Sequence, residues 1–243
     1  MKKLILMAGV ASALIGAPAL AEDRGVYISV SAGSASVKDT DLRYYDVGGT
    51  FGGAGATDSV QTSVELKNAA AFAGAVGYDF GSIRADVEIG YNRNELEAIT
   101  VESLNGAPVT LSPAEADDVC LYLGISSCTA SGNRIAFSDG GKVRQLSAMA
   151  NLWYEHPITD RITPYIGGGA GFVGFEADGE GDVTFAWQVG AGVAFQASPS
   201  IAITVDYRYR SADGKDIAYD ANSGFEIGTI KTSTLSAGLR FSF

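Results

Sequence analysis

Apolar and polar residues alternate with a period of two in eight separate stretches of this chain, at about 26–34, 71–80, 83–92, 145–154, 163–172, 185–195, 203–210 and 235–243. Successive side chains of a strand point to opposite faces, so each stretch predicts a strand with one apolar face and one polar or small face. The third is the clearest. There Ile83, Ala85, Val87, Ile89 and Tyr91 alternate with Arg84, Asp86, Glu88, Gly90 and Asn92. In the last, Leu235, Ala237, Leu239, Phe241 and Phe243 alternate with Ser236, Gly238, Arg240 and Ser242. That strand stops on an aromatic residue, as a strand in an interfacial girdle does.

The links between these strands are sorted by length. Links 2–3, 4–5 and 6–7 take a few residues, whereas links 1–2, 3–4, 5–6 and 7–8 run to about 35, 50, 12 and 20 residues. A secreted β-sandwich has no reason for such order. An eight-stranded antiparallel transmembrane up-and-down β-barrel has one, with short periplasmic turns and long extracellular loops. An even strand count then leaves both ends of the barrel on the periplasmic side. Hydrocarbon excludes an open sheet edge, because each unpaired backbone group there costs several kcal/mol, so the barrel is expected to close.

The start of the chain agrees with export. Lys2 and Lys3 precede an apolar stretch at 4–16, and Ala19-Leu20-Ala21 supplies a small-x-small cleavage site. The predicted organisation is a cleaved signal peptide, 1–21, followed by one barrel domain, 22–243. The apolar stretch is short for a spanning helix, which needs about 20 residues. Loss of Lys2 and Lys3 with the leader moves the formal charge from −11 to −13. With no basic cluster to neutralise phosphates, nucleic acid is not expected as a partner. The acidic surplus sits mostly in the predicted loops, as a solvated surface or as a place where divalent cations bridge to anionic headgroups.

Eight strands leave a lumen just wide enough to be filled by side chains. Inward Arg84, Arg208, Arg210 and Arg240 facing Asp86, Glu88 and Asp206 predict a paired charge network and a plugged interior.

With these strands in place, the chain resembles the small eight-stranded outer-membrane barrels of Gram-negative bacteria: the OmpA-like transmembrane domain and the opacity-type porin family of surface antigens. The resemblance spans 25–243. Its most specific piece is Ser236-x-Gly238-x-x-Phe241-x-Phe243, which looks like the signal read by the outer-membrane insertion machinery. Ala150-Asn151-Leu152-Trp153-Tyr154 and the glycine-rich run from Pro164 to Gly171 are similar to strands four and five of that group. These motifs specify barrel and insertion rather than an activity. One departure from full OmpA is expected: a barrel alone, without the peptidoglycan-binding domain. The resemblance implies a cell outer-membrane location, contact with outer-membrane lipid and lipopolysaccharide, a monomer, and loops open to an extracellular or host ligand.

The loops hold the remaining chemistry. Ser112-Pro113-Ala114-Glu115 predicts a helix start, with Ser112 as N-cap and Glu115 closing a capping box, running to about residue 123 with Gly124 as its stop. Asn105-Gly106 suggests a hairpin turn, with Ala107-Pro108 delaying the return strand to Val109. Cys120 and Cys128 are the only cysteines; in an exported protein they are expected to pair as a disulfide. Gly169-x-Gly171-x-x-Gly174 matches a dinucleotide fingerprint, but no helix follows it, so it reads as small residues packing a narrow barrel. Glu176, Asp178, Glu180 and Asp182 read as a solvated acidic third loop, with calcium the less favoured reading. Tyr44 and Tyr45 are either adhesive contacts or packing for the base of their own loop. The sole histidine, His156, lies in a periplasmic turn, away from the outer leaflet where barrel enzymes work, so no catalysis and no cofactor are expected. The predicted role is a structural barrel displaying loops for envelope integrity or surface interaction; the alternative is a low-conductance porin or a conduit for small apolar solutes.

Overall fold

The computed structural model describes residues 25–48, 57–122, 128–177, 180–218 and 221–243. The expected leader, with Ala19 and Ala21, lies outside the described residues, as does Gly124. Along the chain the elements are β1 (Gly25–Val37), β2 (Thr40–Val47), β3 (Thr57–Leu66), β4 (Ala69–Asp79), β5 (Ile83–Leu104), β6 (Ala107–Pro108) and α1 (Pro113–Tyr122). There follow β7 (Cys128–Ser131), β8 (Arg134–Phe137), β9 (Lys142–Glu155), β10 (Ile162–Ala177), β11 (Glu180–Ser198), β12 (Ile201–Ala212), β13 (Lys215–Ala218), β14 (Ser223–Ile227) and β15 (Ile230–Ser242).

Eight of these strands are the predicted ones, and they form a closed antiparallel ring. Going round, β1 pairs β4, β4 pairs β5, β5 pairs β9, and β9 pairs β10. The ring continues through β11 and β12 to β15, which returns to β1 with Ile28 opposite Phe241 and Ala32 opposite Ala237. A closed ring satisfies every ladder without leaving an edge in hydrocarbon.

Its faces are inverted relative to a water-soluble protein. Phe72, Val76, Val87, Leu152, Ile166 and Val205 are each more than half exposed on the outer wall. Arg84, Asp86, Glu88, Asn151, Gln188 and Asp206 are buried inside. Small inward residues make the room. A Cβ on Gly192 would lie 2.5 Å from the Tyr165 ring, and one on Gly77 would lie 2.6 Å from the Tyr27 ring.

Three loop predictions need correction. Strand β5 does not stop near the membrane but runs unbroken to Leu104, because β3 and then β8 pair with its upper half. The Asn105-Gly106 turn forms with φ of 51° and 77°, as a two-residue type I′ turn requires, yet the return strand begins at once with Ala107 opposite Leu104. Pro108 is tolerated there because β6 is a short edge strand, where a missing N–H costs little. The expected 12-residue third loop is instead a continuation of the barrel wall: β10 and β11 stay paired as far as Ala177 and Glu180. Val173, Phe175 and Val183 extend the strands through what composition marks as an acidic, glycine-rich loop.

Candidate functional site

The lumen charges assemble around three inward carboxylates, Asp86, Glu88 and Asp206, and a fourth, Glu155, that the alternation alone did not single out. At the periplasmic end, the Arg84 guanidinium donates to Glu155 at 2.8 Å and to the Tyr27 hydroxyl at 2.9 Å, and lies 3.7 Å from Asp86. Arg240 donates to the same Glu155 oxygen at 2.5 Å. Asp86 accepts from Tyr27 at 2.6 Å, Asn151 at 2.7 Å and the Trp153 indole at 2.9 Å. Its two oxygens are thus held by three neutral donors besides the nearby charge.

In the middle of the barrel, Arg208 bridges Glu88 and Asp206, the latter at 2.7 Å. Tyr165 and Ser236 also donate to Asp206, at 3.1 and 3.2 Å. Aromatic faces fill the space between the charges: Arg84 lies 4.9 Å from the Tyr27 ring centre, and Arg208 lies 5.1 Å from that of Trp153. Higher up, Arg210 departs from the expected pattern and, among the described residues, meets no carboxylate. Its neighbours are Ser147 at 2.9 Å, Gln145 at 3.1 Å and Asn92 at 3.5 Å. The interior also holds an apolar cluster, with Met149, Val173, Ala186 and Ala212 packed against Phe175 and Ile230.

Glu155 was legible in principle. Extending the alternation of β9 by one step past Tyr154 places it inward, but the adjoining His156-Pro157 had been read as the start of the turn. His156 itself is exposed in that turn, at the end of the barrel opposite the loops. Among the insertion-signal residues, Ser236 and Gly238 face inward on β15, whereas Phe241 and Phe243 lie at its periplasmic end.

Small cavities remain among the described lumen residues. One, beside Arg84, Glu88, Asp206 and Arg240, has a volume of ≈ 20 Å³. Another, beside Asn92, Gln188, Arg208 and Arg210, has a volume of ≈ 40 Å³. A single water needs roughly 10–15 Å³, so each is large enough for a water or a few.

Outside the barrel, three of the four loops share a second sheet. Its order is β13–β14–β2–β3–β5–β8–β7, so loops 4, 1 and 2 are hydrogen-bonded side by side. Ion pairs cross its seams. Arg43 of loop 1 meets both oxygens of Glu226 of loop 4 at 3.0 Å, and Arg134 of loop 2 meets Glu65 of β3 at 2.6 Å. The hydrogen-bonded Arg134 guanidinium holds the Glu65 carboxyl below the usual carboxylate range. Tyr44 packs on Phe225 of β14 with ring centres 5.4 Å apart, and Tyr45 lies against Gly224, so both tyrosines touch the sheet itself.

Helix α1 caps this sheet. Ser112 Oγ accepts from the Glu115 N–H while Glu115 accepts from the Ser112 N–H at 2.8 Å, forming the expected reciprocal box. The Cys120–Cys128 disulfide ties the helix to β7, with Cα atoms 6.3 Å apart, inside a small core with Ile135 and Phe137. Of the four acidic residues once grouped as a loop, Glu176 pairs with Arg144 and Asp182 with Lys215. The Asp178 and Glu180 side chains lie outside the described residues.

An inverted, closed eight-stranded ring with a polar filled interior and an apolar outer wall defines an integral outer-membrane barrel. The chain matches the outer membrane protein beta-barrel domain family over residues 6–243 and belongs to it. It is therefore a protein of the Gram-negative outer membrane. Neisserial surface protein A shares the fold, with a TM-score of 0.52 at 17% identity over 91% of this chain and 100% of that one. The outer membrane protein OprG of Pseudomonas aeruginosa does so with a TM-score of 0.50 at 13% identity, over 90% of this chain and 97% of that one. An uncharacterized protein of Brucella abortus is 26% identical, across 73% of this chain and 70% of its own length.

Proposed function

We propose that this barrel is a structural, non-enzymatic scaffold that displays a preformed extracellular sheet, serving envelope integrity or surface interaction. The observation that carries this reading is the filled lumen: all its arginines but Arg210 pair with carboxylates across the interior, and the cavities of ≈ 20 and ≈ 40 Å³ have room for water rather than solute. The hydrogen bonds joining loops 1, 2 and 4 support display, because a surface ordered in advance loses less entropy when a partner binds. Swelling of proteoliposomes in a small sugar tests the scaffold reading. Folded protein that leaves swelling at the level of empty liposomes supports it, and sugar-dependent swelling overturns it.

A second reading, a conduit for small apolar solutes, is favoured by one feature: the apolar interior cluster of Met149, Val173, Ala186 and Ala212. It predicts that cells carrying the protein take up an apolar solute faster than cells lacking it, while sugar swelling stays silent.

A further inference from the structure

The outer wall ends at the extracellular side on a pair of like charges. On β5 and β9 the outward apolar run begins with Ile83 opposite Tyr154 and ends with Tyr91 opposite Leu146. That run covers about 27 Å of strand, or roughly 20 Å along the membrane normal at a tilt near 40°. The next outward rung sets Arg93 directly opposite Arg144. Like charges in that position destabilise a sheet pair.

The neighbours neutralise only one of them, and that one at an exposed site. Arg144 meets Glu176 on β10 at 2.5 Å, with both side chains at least one-third exposed. Among the described residues Arg93 makes no hydrogen bond or ion pair, and outward Ala70 on β4 offers none. One rung higher, exposed Lys142 faces Glu95, whose carboxylate is already held by Lys67 at 2.5 Å. A chain of formal charge −11 thus presents a basic step where its apolar wall meets the outer-leaflet headgroups.

We propose that the Arg93–Arg144 rung, with Lys142 above and Tyr91 below, binds a phosphate carried by a glycolipid of the outer leaflet. Guanidinium forks match phosphate oxygens two at a time, and an anion between them converts the cross-strand repulsion into shared attraction. The apolar strip below the rung, through Tyr91, Leu146, Ile89 and Ala148, lies where the acyl chains of the same lipid would run. That continuity favours a lipid-borne phosphate over a free one. The proposal rests on the outer-membrane location and not on the scaffold reading.

The test is a titration of the refolded full-length protein in detergent with bis-phosphorylated lipid A, followed by native mass spectrometry. Phosphatase-treated lipid A and inorganic phosphate serve as the comparison arms. The Arg93→Gln/Arg144→Gln variant should bind lipid A at least about tenfold more weakly. An Arg161→Gln control, in the opposite periplasmic turn, should bind as the parent does. The parent should lose a similar factor when the lipid phosphates are removed, a comparison that stands even if the double variant fails to fold. Equal binding by parent and folded double variant, equal binding of the two lipids, or full displacement of lipid by millimolar inorganic phosphate would each overturn the proposal.

Discussion

Replacing Glu155 with glutamine removes the one carboxylate that two buried guanidinium groups share. Arg84 and Arg240 both donate to its Oε1, and all three side chains are under one-tenth exposed. Breaking a buried ion pair by removing one partner costs about 3–5 kcal/mol, because the remaining charge stays desolvated. The two arginines do not suffer equally. Arg84 keeps the Tyr27 hydroxyl and the nearby Asp86, whereas Glu155 is the hydrogen-bonding partner of Arg240. Most of the loss therefore falls on Arg240, and Glu155→Gln should destabilise the barrel by about 3 kcal/mol, at the lower end of that range. Reversible urea unfolding in lipid vesicles, followed by tryptophan fluorescence and a heat-dependent gel shift, measures it. Adding Arg240→Gln removes the orphaned charge and should restore part of the stability, a non-additivity that independent sites do not show. A single-variant loss below about 1 kcal/mol, or a double variant less stable than the single, would refute the shared-carboxylate argument.

Four further outcomes follow from the same geometry. Val205, on the outer wall of β12 between Val193 and Ala237, should cost about 2–4 kcal/mol when changed to arginine, whereas inward Thr204→Ser should be nearly silent in the same unfolding assay. Gly192→Val should cost about 1–3 kcal/mol by driving a side chain into Tyr165, and pairing it with Tyr165→Phe should not relieve it, since the clash is with the ring as well as the hydroxyl. The depressed Glu65 titration makes its contribution to the extracellular sheet fully present above the unfolded carboxylate pKa and lost as pH falls through the lower folded value. Hydrogen exchange in β3 should thus quicken in acid, and Arg134→Ala should flatten that dependence. Replacing Cys120 and Cys128 with serine should speed proteolysis in loop 2 while leaving barrel unfolding unchanged, because the disulfide ties α1 to β7 and its cluster packs on the extracellular half of β5, beyond the membrane-spanning residues 83–91.

The barrel was readable from sequence because the bilayer imposes a strict rule on its strands. In β5, Ile83 to Tyr91 could not alternate as they do unless one face met oil and the other a packed polar interior. The extracellular sheet obeys no such rule. Residues of β3 are mostly half-buried on both faces, since water and neighbouring loops share them, and no periodicity survives to mark the strand. The pairing of β14 with β2 joins residues about 180 positions apart, and nothing local encodes it. Composition misled at the β10–β11 hairpin, where glycines and acids suggested a loop although Val173, Phe175 and Val183 continue the paired wall past Phe172 and Phe185. Among the lumen residues, the four arginines and three carboxylates could be placed inward by parity. Parity does not say which pairs meet, so Arg210 came out beside neutral acceptors and Glu155 emerged as the hub. The outward Arg93 and Arg144 required the register of β5 on β9 before their opposition became visible.

The central claim is that paired charges fill this lumen and leave the barrel a closed scaffold. Single-channel recording in planar bilayers, on protein whose heat-dependent gel shift shows it folded, tests that claim most directly. A folded and electrically silent protein is the predicted result; stable, reproducible conductance steps would contradict it.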